Sequence, residues 1–121
     1  MANIKAEEPV AANLSEPLLR RKHPRRSFAR GVGFLYRGKY QVVRGFEIGE
    51  GGAAVDIPDA LPEGSIVVLS FQIPHGSFVV SMAQVRSCAK IKEGHFRVGC
   101  LFRNILFEHK REIRTFVSAR V

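Results

Sequence analysis

The chain has 121 residues, of which 45% are hydrophobic and 25% are charged. These proportions are typical of one globular domain with a modest core, and they exclude an intrinsically disordered chain. The formal net charge is +8, although residues 1–19 hold one lysine and three glutamates, so the excess of cations belongs to residues 20–121 and favours an anionic partner.

The first nineteen residues show no sustained hydrophobic period, and we predict a flexible N-terminal segment over 1–19, followed by one domain over 20–121. There is no apolar stretch after a positively charged start, and no apolar run is long enough to span a membrane. We therefore expect a cytoplasmic protein. In that compartment we expect Cys88 and Cys100 to be free, buried thiols, with a disulfide as the alternative.

Short apolar runs separated by turn residues begin at residue 32 and predict β-strands. The runs cover residues 32–37, 40–48, 53–57, 65–73, 77–91 and 96–102. The glycine-rich stretch 49–52 interrupts them, and we predict a bend there that needs a positive φ. In the last two strands one parity is apolar and is predicted to face the core: Val79, Ala83, Val85, Ala89 and Ile91, then Phe96, Val98, Cys100 and Phe102.

The period changes to that of a helix over residues 104–120, with Asn104 as the predicted N-cap. Its predicted apolar stripe comprises Leu106, Ile113, Phe116 and Val117. Six strands joined by short turns favour closure, because a closed barrel has no exposed strand edges. The predicted fold class is therefore all-β, a six-stranded antiparallel β-barrel with a C-terminal α-helix.

No set of polar residues indicates catalysis or a cofactor. The four histidines are scattered rather than paired as metal ligands, and the two cysteines are predicted to be buried. The acids Asp56, Asp59 and Glu63 lie in or beside a loop and are interpreted as solvated. We predict a binding module rather than an enzyme.

The stretch "RRKHPRRSFAR" at residues 20–30 contains five arginines and one lysine without an acid. Three interpretations are open: a solvated charge run, a nucleic-acid contact, or a site for a small phosphate-bearing ligand. The predominance of arginine suits phosphate and guanine edges, and exposed aromatic residues for stacking on single strands are scarce. We favour the small ligand and expect neither DNA nor RNA as the partner.

Residues 20–118 resemble the PilZ domain, the bacterial receptor module for cyclic di-GMP. "RKHPR" (Arg21 to Arg25) resembles the RxxxR motif of the family, and "EIGEGG" (Glu47 to Gly52) occupies the place of its [D/N]xSxxG motif. The resemblance implies that Arg21 and Arg25 clamp the dinucleotide with help from Arg20. It also implies that Glu47 accepts hydrogen bonds from guanine, and that Gly52 is the final glycine of the second motif.

Two positions depart from the family pattern. Glu47 stands where Asp or Asn is expected, and Gly49 stands where Ser is expected, so one hydroxyl contact is missing. The prediction is a cyclic di-GMP receptor with no other cofactor, which alters contacts with a downstream protein partner. The alternative is a PilZ-like adaptor that binds no nucleotide and acts through protein contacts alone. Arg86 and Arg97 are left open between solvent and ligand.

Overall fold

The structure is a computed structural model that describes residues 24–119. Within this range the chain forms seven β-strands and one α-helix. They are β1 (Arg25–Ser27), β2 (Gly31–Tyr36), β3 (Lys39–Gly49), β4 (Gly52–Ile57), β5 (Ile66–Gln72), β6 (Phe78–Lys92), β7 (His95–Phe102) and α1 (Phe107–Ser118). The predicted flexible segment 1–19 and the predicted ligand residues Arg20 and Arg21 lie outside the described residues.

Six of the strands form a closed antiparallel barrel, which confirms the predicted fold class. The strands follow the order β3-β2-β5-β6-β7-β4, and β4 pairs back on β3 to close the barrel. The seventh strand, β1, was not predicted. It continues beyond the end of β2 along the same edge of β3, with Arg25 opposite Gly49 and Ser27 opposite Glu47. This pairing carries the basic stretch to the far end of β3.

The core fills the interior of the barrel through the alternation of inward and outward side chains. Its largest fully buried members are Phe34, Phe71, Ile48 and Leu69, and Phe28 also packs within it. The helix packs against β1 and β3.

Three sets of polar contacts help to hold the helix to the barrel, in addition to the packing of its buried residues Ile113 and Val117. Arg26 Nη1 donates to the carbonyl of Phe116 at 2.9 Å, with its guanidinium 4.3 Å from the centroid of that ring. Glu112 accepts from the backbone N–H of Ser77 at 2.6 Å, which ties the helix to the turn between β5 and β6. The third contact joins the helix to the β3–β4 hairpin and is described with the site.

A bulge in β6 contradicts part of the predicted alternation. The register between β6 and β7 shifts between Val85 and Ser87, so Arg86 is the extra residue of the strand. Val79, Ala83 and Val85 are buried as predicted. The prediction that Ala89 and Ile91 face the core is wrong: both are exposed, and the register shifts a second time between Lys90 and Lys92.

The start of the helix also differs from the prediction. Leu106, not Asn104, is the N-cap residue, and no side chain caps the helix. Asn104 Oδ1 accepts a hydrogen bond from the backbone N–H of Met82 at 3.2 Å, so its side chain binds strand β6 instead of capping the helix. Ile113 and Val117 are buried and Phe116 is half-buried, whereas Leu106 is 58% exposed and does not belong to the apolar stripe.

Candidate functional site

A cavity of about 590 Å³ opens beside the β3–β4 hairpin, on the outer surface of the barrel. The end of β3, the beginning of β4, the β6 bulge and the end of β7 surround it, and the segment entering β1 forms one edge. Four of the predicted ligand residues line it together: Arg25, Glu47, Gly49 and Gly52. Residues 27 positions apart in sequence therefore meet at one site, because β1 and β4 both pair with β3.

The side chains of Arg25 and Glu47 lie close together in the wall of the cavity. The Nη1 of Arg25 lies 3.5 Å from Oε1 of Glu47, and the two side chains are 47% and 25% exposed. A pair this long and this exposed contributes about 0–1 kcal/mol to stability. The two charges are therefore close to each other, and separating them costs little free energy.

Gly49 allows the entering chain to lie against β3. A Cβ at this position would be 3.0 Å from the carbonyl oxygen of Pro24 and 3.3 Å from Cγ of Arg25. The position at which the family pattern has serine is thus packed against the backbone that carries the arginine. Glycine at this position therefore has two effects. It lacks the hydroxyl of serine, and it allows Pro24 and Arg25 to lie close to β3.

Gly52 is required by packing rather than by its backbone conformation. Among residues 24–119 the positive-φ glycines are Gly38, Gly64 and Gly94, so the positive φ predicted for the bend at 49–52 is wrong. A Cβ on Gly52 would lie 2.0 Å from the carbonyl oxygen of Cys100, which precedes its pairing partner Leu101 on β7. Glycine at this position lets β4 approach β7 and keeps the cavity floor open.

The tip of the β3–β4 hairpin is fastened to the helix. Glu50 is 5% exposed and accepts a forked contact from Arg114, with Nη2 at 2.9 Å and Nε at 3.1 Å from its carboxylate oxygens. Hydrogen bonding with this carboxylate raises the pKa of Arg114 above its ordinary value. The contact fixes the hairpin whose glycines line the cavity.

The β6 bulge contributes Arg86 and Ser87 to the cavity. Arg86 is exposed and makes no side-chain hydrogen bond or ion pair with the part of the chain that the structure describes. Ser87 lies opposite Gly99, where a Cβ would be 2.6 Å from the Ser87 hydroxyl oxygen. Sequence reasoning considered Arg86 but missed Ser87, and a bulge in an otherwise regular strand has no clear sequence signal.

Arg97 does not line the cavity, and Asp56 is not solvated as predicted. Arg97 Nε donates to Asp56 at 2.8 Å and Nη2 donates to the second carboxylate oxygen at 3.2 Å. The guanidinium also lies 3.5 Å from the centroid of the Phe46 ring. The hydrogen bond from Arg97 holds the pKa of Asp56 below its ordinary value. These contacts brace β4 against β7 beside the site.

Among the described residues both cysteines are free, as predicted, but only Cys100 is buried, whereas Cys88 is half-buried. Burial raises the pKa of the Cys100 thiol to about 12, so this thiol stays protonated at neutral pH. Between residues 24 and 119 there is no group of three His, Cys, Asp or Glu side chains able to hold a metal. The helix found in this range is too short and too polar to cross a membrane.

A second cavity, of about 710 Å³, lies between the helix, the β1–β2 connection and the turn after β5. Arg26, Arg30 and Glu112 line it, and none of the predicted ligand residues within the described range does so. The convergence of predicted residues therefore singles out the smaller cavity as the candidate site.

Comparisons with known proteins agree with this fold. A family model described as the PilZ domain matches residues 19–119. No curated protein matches the sequence. Among solved structures, the Bacillus subtilis inhibitor of motility MotI/DgrA is 17% identical with a TM-score of 0.72, covering 81% of this chain and 49% of that one.

Two further similar structures contain c-di-GMP. Borreliella burgdorferi PlzA in complex with c-di-GMP is 14% identical with a TM-score of 0.62, over 86% of this chain and 43% of that one. The PilZ domain of Escherichia coli YcgR with c-di-GMP is 17% identical with a TM-score of 0.61, over 81% and 88%. At these identities the likeness shows the fold. The chain spans about half the length of MotI and PlzA.

Proposed function

The chain belongs to the PilZ domain family, and from this we propose that it is a cytoplasmic cyclic di-GMP receptor domain that binds the dinucleotide at the β3–β4 cavity. One observation supports the proposal most: Arg25, Glu47 and Gly52 come from three strands and line a single cavity. Its volume is within the range of about 300–1,000 Å³ that is usual for small-molecule sites. The domain binds its ligand and does not convert it.

In this proposal the Arg25 guanidinium leaves the Glu47 carboxylate and binds a phosphate of the ligand instead. The exposed pair in the structure is weak, whereas a guanidinium offers a phosphate two parallel charge-assisted hydrogen bonds. The exchange also frees the Glu47 carboxylate. A carboxylate accepts hydrogen bonds from the N–H groups on the Watson–Crick edge of guanine, and the extra methylene of Glu relative to Asp does not remove this capacity.

The remaining contacts come from the cavity floor and from the chain before Pro24. Arg86 has no partner among the described residues and adds a second cation at the rim, and Ser87 supplies a hydroxyl that Gly49 lacks. Arg20 and Arg21 precede Pro24 by four and three residues, within about 10–14 Å of extended chain. We propose that both close over the dianion bound at the cavity, and that this ordering alters a surface recognised by a downstream protein.

Titration of the full chain with cyclic di-GMP in a calorimeter tests the proposal. Arg25→Ala should weaken binding at least tenfold, because a hydrogen bond to a charged group contributes about 1.5–3 kcal/mol. Arg111→Ala is the matched control, since Arg111 is also an exposed arginine, lies on α1 and does not line the cavity. Equal affinities of the wild type and Arg25→Ala would contradict the clamp.

The packing of Gly49 against Pro24 favours a second candidate function. The hydroxyl of the family motif is absent and the chain's own backbone lies close against this position, which suits an adaptor that binds protein without nucleotide. The same titration separates the two functions. The adaptor is supported if the wild type gives neither heat nor a thermal shift at about millimolar cyclic di-GMP, and the receptor proposal then fails.

A further inference from the structure

The outer surface of strands β2, β3, β5 and β6 is apolar. In an antiparallel barrel the outer surface ordinarily faces water and is polar. Val42, Val80 and Tyr40 are 66%, 62% and 61% exposed. We call the whole set the apolar face; it comprises Leu35, Tyr40, Val42, Ile66, Phe78, Val80 and Met82. One face of such a sheet usually packs on the core and the other is polar, so this composition points to a covering partner.

Strand register shows that the apolar face is continuous. One row across the four strands runs Tyr40, Leu35, Val68 and Met82. The next row runs Val42, Gly33, Ser70 and Val80. Neither row contains a charged side chain. Gly33 leaves room in the second row for the Tyr40 side chain, because a Cβ there would lie 2.7 Å from the hydroxyl oxygen of Tyr40.

Most charges at the border of the apolar face are cationic. Arg37 and Lys39 flank the turn between β2 and β3, Arg44 follows Val42 on β3, and Arg103 donates its backbone N–H to the carbonyl of Met82 at 2.9 Å. Glu63, three residues before Ile66, is the nearest acid in sequence. An occupant that suits this surface is apolar with acidic flanks.

We propose that residues 1–19 of the same chain dock on the apolar face. They contain Ile4, Val10, Leu14, Leu18 and Leu19, and their charges are three glutamates and one lysine. The segment thus combines apolar side chains with a net charge of −2 in a protein whose remaining residues carry +10. A tethered segment has an effective concentration on the order of millimolar, so weak docking suffices to cover the surface.

The chain is long enough to reach the apolar face from Pro24. Going around the barrel from β1 to β6 crosses β3, β4 and β7, which is four strand spacings of about 4.8 Å, or about 19 Å. Six residues of extended chain span about 20 Å. An extended chain therefore allows Leu18 to reach β6 at the edge of the apolar face, and seventeen further residues precede it. Docking along this path would carry residues 20–23 past the candidate site.

Paramagnetic broadening in the full-length chain tests the docking. A spin label is attached at Ala12→Cys in a Cys88→Ser background; Cys100 stays in place because it is buried and its thiol has a pKa of about 12. The label should broaden the methyl signals of Val42, Val80 and Met82. Met82→Lys should remove the broadening, whereas Ile91→Lys should retain it. Met82 and Ile91 are both on β6 and are 42% and 45% exposed, but only Met82 belongs to the apolar face.

Each other outcome overturns the proposal. Broadening that also appears when labelled and unlabelled chains are mixed assigns the apolar face to a second copy. If a folded monomer shows no broadening, the apolar face is covered by another protein instead. If broadening persists in Met82→Lys, the segment docks at a different surface. Thermal unfolding of each variant confirms that the barrel is intact, which keeps a loss of signal attributable to undocking.

Discussion

Arg25, Glu47 and Gly49 form one coupled unit at the candidate site. The absence of a side chain at Gly49 allows Pro24 and Arg25 to approach β3, and this approach brings the Arg25 guanidinium within 3.5 Å of the Glu47 carboxylate. In our proposal, a glycine in the place of the family serine removes one ligand contact and positions another, so the affinity for the ligand should depend on both effects.

Paired substitutions at position 49 separate these effects. Gly49→Ser restores a hydroxyl and Gly49→Ala adds only a Cβ, while both must displace the Pro24 carbonyl oxygen by a few tenths of an ångström. A hydrogen bond to a charged ligand contributes about 1.5–3 kcal/mol, so Gly49→Ser should bind cyclic di-GMP about tenfold or more tightly than Gly49→Ala. Calorimetry on both variants provides the comparison. Equal affinities would mean that no ligand atom approaches position 49.

Sequence order was enough to predict most of this unit. The arginine motif and the glycine-rich stretch occur in the order and at the spacing of the PilZ family, and the structure brings Arg25, Glu47, Gly49 and Gly52 to one cavity. The reason for Gly52 was not predictable, because a contact with the Cys100 carbonyl depends on strand register and not on local conformation. The ligand-binding roles of these four residues, and of Arg20 and Arg21, remain predictions.

At the scale of elements, regular strands were predictable and interruptions were not. The six barrel strands and the helix have clear periods, and their positions agree with the prediction to within a few residues. The register of β6 shifts at Arg86 and again between Lys90 and Lys92, and nothing in the local composition marks either shift. The apolar face did have a signal: the run "IVVL" in β5 lacks the alternation of a half-exposed strand.

The corrected helix start leads to a stability prediction. Ile113 is 1% exposed within the core, whereas Leu106 is 58% exposed at the N-cap. Ile113→Ala should lower the free energy of unfolding by about 2–5 kcal/mol, because it leaves a cavity. Leu106→Ala should change the free energy by no more than about 0.5 kcal/mol. Urea denaturation measures both, and comparable losses would show that the helix docks through Leu106 after all.

At the scale of the whole molecule, two surfaces adjoin on the outside of one barrel. Leu101 on β7 lines the candidate cavity and pairs with Gln84 on β6, which in turn pairs with Ile66 of the apolar face. The chain before Pro24 provides a second connection. In our proposals Arg20 and Arg21 contact the ligand, and Leu18 and Leu19 contact the apolar face. The four consecutive residues 18–21 would then contact both the ligand and the apolar face.

This arrangement requires that docking and ligand binding affect each other. A segment docked through Leu18 holds Arg20 and Arg21 near the cavity, so ligand binding costs less ordering of the chain than it does from an undocked segment. Met82→Lys should therefore weaken cyclic di-GMP binding by about fivefold, at the low end of usual coupling between sites, and Ile91→Lys should leave it unchanged. Reciprocity requires that cyclic di-GMP strengthen docking by the same factor, seen as increased broadening from a label at position 12. If Met82→Lys removes the broadening yet binds the nucleotide as the wild type does, the stretch between the two surfaces is too loose to couple them, and the receptor would then signal through another part of the barrel.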